Sequence, residues 1–236
     1  MDSVVFSVLR YDPAKGEKPY YQDFTVQLTR PGMMILDGLN QIRWEQDGSL
    51  AYRRSCREGG CGSDGLNLNG VNMLSCVTHI AEVEKKGRVV IQPLPGMPLI
   101  KDLVVDISDF LDKYFLVKPY LITKAPAPDR ERLQTPAERK KLDGLYECIL
   151  CGCCSSSCPS YWADSDYLGP SALLNVWRFI SDSRDQGADE RLDILNDRHG
   201  AWRCHTILNC IEACPKGLNP TQAIAGVKRA LVERKF

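Results

Sequence analysis

Two runs of cysteine carry a spacing that could hold metal. Residues 148–158 read C-I-L-C-G-C-C-S-S-S-C-P, which sets Cys148, Cys151, Cys154 and Cys158 on the pattern C-x2-C-x2-C-x3-C-P. Residues 204–214 read C-H-T-I-L-N-C-I-E-A-C-P, the same spacing with Ile207 where the second cysteine would stand. This is the ligand pattern of paired iron–sulfur cubanes. Three cysteines on a tight loop can face one cluster. The fourth lies past the loop, ahead of a proline that turns the chain away, and reaches the cluster of the other run. Cys148, Cys151, Cys154 and Cys214 are therefore expected to hold a [4Fe–4S] cluster. Cys158, Cys204 and Cys210 are left for the second. An isoleucine cannot ligate, so one iron corner lacks a protein ligand and [3Fe–4S] is the expected occupant. Cys153 breaks the spacing and reads as a packed thiol outside the ligand sets.

A third set precedes these. In R-R-S-C-R-E-G-G-C-G-S-D-G, Cys56 and Cys61 are separated by four residues, and Asp64 stands where C-x4-C-x2-C would place its third cysteine, with Cys76 downstream. This is the start of the plant-type [2Fe–2S] pattern with a carboxylate in one position. The expected ligands are Cys56, Cys61, Asp64 and Cys76, with Ser63 and His79 as other candidates for the fourth. Gly59, Gly60, Gly62 and Gly65 would let the backbone curl round a cluster and aim N–H groups at its sulfurs. Arg53, Arg54 and Arg57 flank the loop and read first as a solvated face. Zinc also takes C-x2-C pairs, but two runs that each end in Cys-Pro fit zinc or disulfides poorly.

Composition narrows the classes. Thirty Lys and Arg offset thirty Asp and Glu, so nothing points to nucleic acid, which selects a basic surface. Eleven cysteines suggest metal rather than disulfides in a reducing compartment. The start, Met1-Asp2-Ser3 and then V-V-F-S-V-L-R-Y, does not read as a signal peptide, and no apolar run approaches the roughly 18 residues of a membrane span.

The elements that must position these residues follow from periodicity. Alternation predicts strands over 4–11, 24–28, 71–75 and 88–93, with turn residues at 12–16. An apolar stripe predicts a helix over 33–46. After the proline-rich bend at 93–98, helical spacing covers 102–117. Helices are also expected over 136–145, capped by Thr135 with Glu138, over 171–183, near 189–195, and from Asn219-Pro220 to about residue 234. The expected fold is α+β: an N-terminal plant-type ferredoxin (β-grasp) domain over 1–104, then an all-helical bacterial-type ferredoxin domain over 105–236.

With S-C-R-E-G-x-C-G-S-D-G, L-Y-E-C-I-L-C-x-C-C, C-P-S-Y-W and C-P-K-G-L-N-P in this order, nearly the whole chain resembles the iron–sulfur subunits of succinate dehydrogenase. The resemblance implies a relay. Electrons would leave succinate at FAD in a separate flavoprotein subunit and pass [2Fe–2S], [4Fe–4S] and [3Fe–4S]. They would then reach a membrane quinone beside one or two anchor subunits. The chain itself would lack the succinate site and sit peripherally on the cytoplasmic face of a bacterial inner membrane, or on the matrix face in a mitochondrion. The quinone pocket implied is Pro159, Ser160, Trp162, His205 and Ile207. One departure stands out: Tyr161-Trp162-Ala163 lacks the family's second tryptophan, and the loop to Tyr167 is one residue shorter. Other readings are a quinol:fumarate reductase subunit running the opposite way, a subunit serving another flavoprotein dehydrogenase, and a zinc-stabilised interaction module.

Overall fold

The structure, a computed structural model, describes residues 2–16 and 18–234. It divides into two compact units, Met1–Ile107 with Ile149–Ser156, and Ser108–Cys148 with Ser157–Phe236.

In the first unit the apolar, β-branched run makes β1 (Ser3–Arg10), which pairs antiparallel with β2 (Tyr20–Gln27). Asp12 caps the turn between them, its Oδ1 accepting from the Ala14 N–H at 3.1 Å. Helix α1 (Ile35–Gln41) follows and widens into a π-helical turn over Ile42–Gln46. The cysteine loop then leads to β3 (Gly65–Leu68) and β4 (Val71–Leu74), with α2 (Ile80–Val83) and β5 (Arg88–Gln92) beyond. The sheet order is β2-β1-β5-β3-β4, with β1 and β5 parallel and the other pairs antiparallel. This is the expected β-grasp arrangement. Its core is the inward face of β1 and β2 (Val4, Phe6, Val8, Phe24, Val26) against Ile35, Leu39 and Ile42. Each such side chain contributes about 1.5–3 kcal/mol on burial. Gly38 lets α1 lie on the sheet, because a Cβ there would stand 2.4 Å from the Phe6 ring.

The helix expected over 102–117 begins later. Leu99–Lys101 (β6) and Val104–Val105 (β7) form a hairpin, and α3 covers only Ser108–Leu116. Asp102 explains the difference. It sits at the hairpin turn with φ 47°, almost fully buried. Its Oδ1 accepts from Arg10 Nε and the Tyr11 N–H, both at 3.0 Å, and its Oδ2 from the Ala51 N–H at 2.8 Å. Arg10 also donates to Asp47 at 2.6 Å, Gln22 at 2.7 Å and Ser49 at 2.9 Å. A buried charge must be fully partnered, and that demand outweighs a helical stripe.

The second unit is helical. Thr135 caps α4 (Pro136–Lys140) in a reciprocal box with Glu138, at 3.2 and 2.8 Å. The helix stops short of the expected residue 145, before Gly144 at φ 77°. Short α5 (Cys153–Ser156) belongs to the first unit; α6 (Pro159–Ala163), α7 (Gly169–Ile180), α8 (Ala188–Leu195), α9 (Asn209–Glu212) and α10 (Pro220–Glu233) complete the second. Helices α7 and α10 cross where Gly226 meets the Trp177 indole; a Cβ there would stand 2.5 Å from the ring. Arg191, fully buried, ties the coil before α4 to α8. It pairs with Asp185 at 2.6 Å and donates to the carbonyls of Lys118 and Tyr120 at 3.0 and 2.6 Å.

Removing Asp102 would strand the Arg10 charge. Asp102→Ala is expected to cost about 3–5 kcal/mol, the range for breaking a buried pair, read as a lowered urea midpoint for loss of β-sheet circular dichroism. The same network should weaken in acid. Hydrogen bonds from Ser49 and then Arg10 hold the Asp47 carboxyl down to about 2. Its contribution is complete above the ordinary carboxylate range near pH 4 and is lost as pH falls towards 2.

Candidate iron–sulfur centres

The first cysteine loop turns left-handed at Arg57, Gly59 and Gly62, with φ of 67°, 68° and 70°. That curl directs N–H groups at sulfur. Cys56 Sγ accepts from Gly60 N at 3.3 Å and Cys61 N at 3.2 Å, and Cys76 Sγ accepts from Gly59 N at 3.3 Å. Asp64 immediately precedes β3, and the β3–β4 register of Gly65 opposite Leu74 sets it beside Ser75 and Cys76. Its Oδ2 accepts from Ser75 Oγ at 3.0 Å and from the Cys76 N–H at 2.6 Å. Its Oδ1 is buried without a partner. Burial and then the Asp64 carboxylate push the Cys76 thiol up to about 12. The Cys61 thiol is drawn down to about 7 by Ser63, whose Oγ lies 3.2 Å from it. Deprotonating the buried Cys76 beside the Asp64 carboxyl is opposed unless a cation joins them, and iron would.

Of the other candidates for the fourth ligand, Ser63 stays beside Cys61, but His79 is elsewhere. It opens α2, bridges to Met34 and lines a groove with Val4, Leu28, Arg30 and Met33. Two of the three arginines are tied into the fold: Arg53 donates to the Val105 carbonyl at 2.7 Å, and Arg54 donates to Asn40 at 2.7 Å while stacking 5.4 Å from the Trp44 ring, whereas Arg57 is exposed as expected of a solvated face.

The run over 148–158 is divided between the units. In the first, Leu150 and Gly152 turn left-handed at φ 52° and 79°. Cys151 packs against Leu36, Leu74 and Cys76, and its thiol is lowered mainly by hydrogen bonding to Cys153. Cys153 is fully buried against Gly65, and its carbonyl accepts from Asn72 at 3.1 Å. In the second unit, Cys148 and Cys214 share a cluster with Leu145, Leu174, Leu218 and Ala223. Cys148 Sγ accepts from Asn175 Nδ2 at 3.5 Å, and Cys214 Sγ from the Leu218 N–H at 3.4 Å.

The set of Cys158, Cys204 and Cys210 meets in one cavity of the second unit. Cys158, Cys204 and Cys210 line it with Pro159, Ser160, His205, Ile207, Tyr167 and Thr221. Thr206 and Leu208 turn left-handed at φ 59° and 76°. Burial raises the Cys210 thiol, which lies 3.4 Å from Thr221 Oγ1. Burial, followed by the charges of Cys204, Cys158 and Cys210, raises the Tyr167 phenol far above its ordinary range. Trp162 does not line this cavity; it lies on α6, 52% exposed. Ile207 and Leu208 are exposed too, at 47% and 45%. The loop after Trp162 is closed by ion pairs of Asp164 with His199 and Arg203, each at 2.9 Å.

Sequence spacing did not reveal Tyr167, Asn175 or Thr221. Each reaches a cysteine from a distant helix or helix entry, so no local pattern marks it. Among the described residues, buried side-chain polar atoms without a hydrogen-bond partner include Asp64 Oδ1, Glu147 Oε2, Ser155 Oγ and Tyr167 OH. Each lies in or beside a cysteine set. Buried polar groups are ordinarily satisfied, and these, with the N–H···S bonds, fit inorganic clusters that bring their own sulfide and iron.

Comparison with known proteins agrees with that chemistry. Residues 5–112 match the family "2Fe-2S iron-sulfur cluster binding domain", and residues 143–218 the family "4Fe-4S dicluster domain". The chain is 51% identical over 230 residues to the succinate dehydrogenase iron-sulfur subunit of Paracoccus denitrificans, covering 97% of this chain and 88% of that one. It is 50% identical over 232 residues to the protein of the same name from Coxiella burnetii, covering 98% and 97%. A solved chain of the Mycobacterium smegmatis Sdh1 complex in the apo form shares the fold, with TM-score 0.88 at 24% identity over 99% of this chain and 97% of that one.

Gly62 carries a testable consequence. At φ 70° a side chain is strained, and its Cβ would stand 2.6 Å from the Ile149 carbonyl oxygen. The backbone term alone costs about 1–2 kcal/mol. Gly62→Ala is expected to lower [2Fe–2S] content, read as visible absorbance and iron per chain.

Proposed function

This chain belongs to the iron–sulfur subunits of succinate dehydrogenase, and on that footing we propose the path along which its residues carry electrons. It is the electron-relay part of an oxidoreductase complex, with 2Fe-2S and 4Fe-4S binding domains. Cys56, Cys61, Asp64 and Cys76 hold [2Fe–2S]. Cys148, Cys151, Cys154 and Cys214 hold [4Fe–4S], and Cys158, Cys204 and Cys210 hold [3Fe–4S]. The observation that carries this reading is Asp64: a buried carboxylate with one oxygen fixed by Ser75 and Cys76 and the other unpartnered.

When bound, the clusters supply one-electron chemistry within the roughly −700 to +450 mV open to them. The protein holds the sulfur ligands inward, excludes water with apolar side chains, and donates backbone N–H groups to thiolate. No substrate-binding constellation is assigned to this chain; succinate oxidation belongs to a flavoprotein partner that carries FAD. Pro159, Ser160, Trp162, His205 and Ile207 receive the quinone beside one or two anchor subunits. Exposed Trp162, Ile207 and Leu208 suit an apolar neighbour. Among the described residues no helix is long and apolar enough to cross a membrane, and the chain attaches peripherally through those subunits, on the cytoplasmic face in a bacterium or the matrix face in a mitochondrion.

The deciding experiment is metal and sulfide analysis of the purified complex, followed by EPR during stepwise reduction with succinate. About nine irons per chain, with matching acid-labile sulfide and three sequentially reduced signals, are expected. Zinc without sulfide would end the reading. Ile207→Cys should convert the three-iron centre to [4Fe–4S], with loss of the EPR signal of the oxidised protein. Persistence of that signal in a folded variant would overturn the assignment of Cys158, Cys204 and Cys210.

A further inference from the structure

Tyr167 lines the cavity of Cys158, Cys204 and Cys210, and its polar atom has no assigned task. It follows α6 and precedes α7, and no part of it reaches solvent. The backbone fixes its place: Tyr167 N–H donates to the Asp164 carbonyl at 3.2 Å, and Leu168 N–H to the His199 carbonyl at 3.1 Å. Asp164 is in turn held by His199 and Arg203, each at 2.9 Å. The ring packs in the core with Leu173, Val176, Ile224 and Val227, which leaves it little freedom. Its hydroxyl is buried without a well-formed hydrogen bond, and the sulfur nearest to serving as its partner is that of Cys204, in a cavity it shares with Cys158 and Cys210. The other hydroxyl close to a sulfur there, Thr221 Oγ1, already lies 3.4 Å from Cys210.

A buried hydroxyl left unsatisfied is costly. A phenol is protonated at neutral pH, so what this one has to offer is a proton to share. The acceptors that face it are sulfurs. We propose that Tyr167 donates a hydrogen bond from its hydroxyl to sulfur at the centre held by Cys158, Cys204 and Cys210, and thereby sets that centre's reduction potential. The inference rests on the reading of this cavity as the [3Fe–4S] site. Its sign follows from charge. Reduction adds an electron to sulfur-rich surroundings, a donor stabilises the more negative form, and the potential rises. Tyr167 is thus a tuning residue for the last centre of the relay, placed by the loop after Trp162.

The test is an EPR redox titration of the purified complex carrying Tyr167→Phe, and of one carrying 3-fluorotyrosine at position 167 by stop-codon suppression. The phenylalanine variant keeps the ring and loses the donor. The reduced-to-oxidised ratio of the three-iron centre at a fixed potential should fall about tenfold, a midpoint lower by about 59 mV for one electron. Fluorotyrosine keeps ring and hydroxyl but makes the O–H a stronger donor, so its midpoint should move up. Opposite shifts, with the other two centres unmoved, would not arise from loosened packing. If the phenylalanine variant fails to assemble, the fluorotyrosine arm decides. A three-iron signal whose midpoint stays within a twofold ratio in every variant that assembles overturns the role of Tyr167 alone. Absence of any three-iron signal in the unaltered complex overturns the cavity's assignment and this inference with it.

Discussion

The constraint on which the chain depends is backbone curvature at sulfur. Arg57, Leu150, Thr206 and Leu208 all hold positive φ without being glycine, and they fall within the three cysteine loops. Left-handed backbone at such residues is strained, at a cost of order 1–3 kcal/mol each. It persists only where surrounding structure leaves no other choice. The reward is local: a curled loop turns its N–H groups inward, as at Cys56 and Cys76, where they can meet negative charge on sulfur.

Each unit supplies its own rigidity for this. In the first, the β3–β4 hairpin fixes Asp64 against Cys76, while the network of Arg10, Asp47 and Asp102 clamps strand, turn and hairpin together. In the second, α7 and α10 meet through Gly226 and Trp177, and the buried Arg191 anchors the coil that leads towards the cysteine run. The polar atoms that stay unpaired cluster about the sulfur sets. Among the described residues, Asp64, Glu147, Ser155 and Tyr167 keep unmet hydrogen-bonding capacity where inorganic chemistry belongs.

How far the chain could be read from sequence depended on the range of the interaction. The two cluster-binding domains were legible because a cluster fixes short spacings along one loop. Strands β1 and β5 and helices α7 and α10 were legible because each buries one face, which leaves a period in the sequence. The β6–β7 hairpin was not, since what forces it is Asp102 meeting Arg10 from far along the chain. The helix after Thr135 is legible at its start, where capping is local, and not at its end, where Gly144 turns the backbone. His79 looked available to the first centre from its nearness in sequence to Cys76, yet its backbone pairs with Met34 and carries it to another groove. Tyr167 drew no notice because its relation to sulfur exists only in three dimensions.

The order in which the units take up residues has a consequence for biosynthesis. Ile149–Ser156 belongs to the first unit although Ser108–Cys148 belongs to the second. The returning segment brings Ser156 to the Pro95 carbonyl at 2.6 Å and the Cys153 carbonyl to Asn72 at 3.1 Å. A nascent chain that has emerged only as far as residue 107 therefore lacks a piece of its own first unit, and that unit completes only after the ribosome has delivered more than forty further residues of its neighbour. Maturation of the two halves is interlocked from synthesis onward, and no single proteolytic cut could release either one intact.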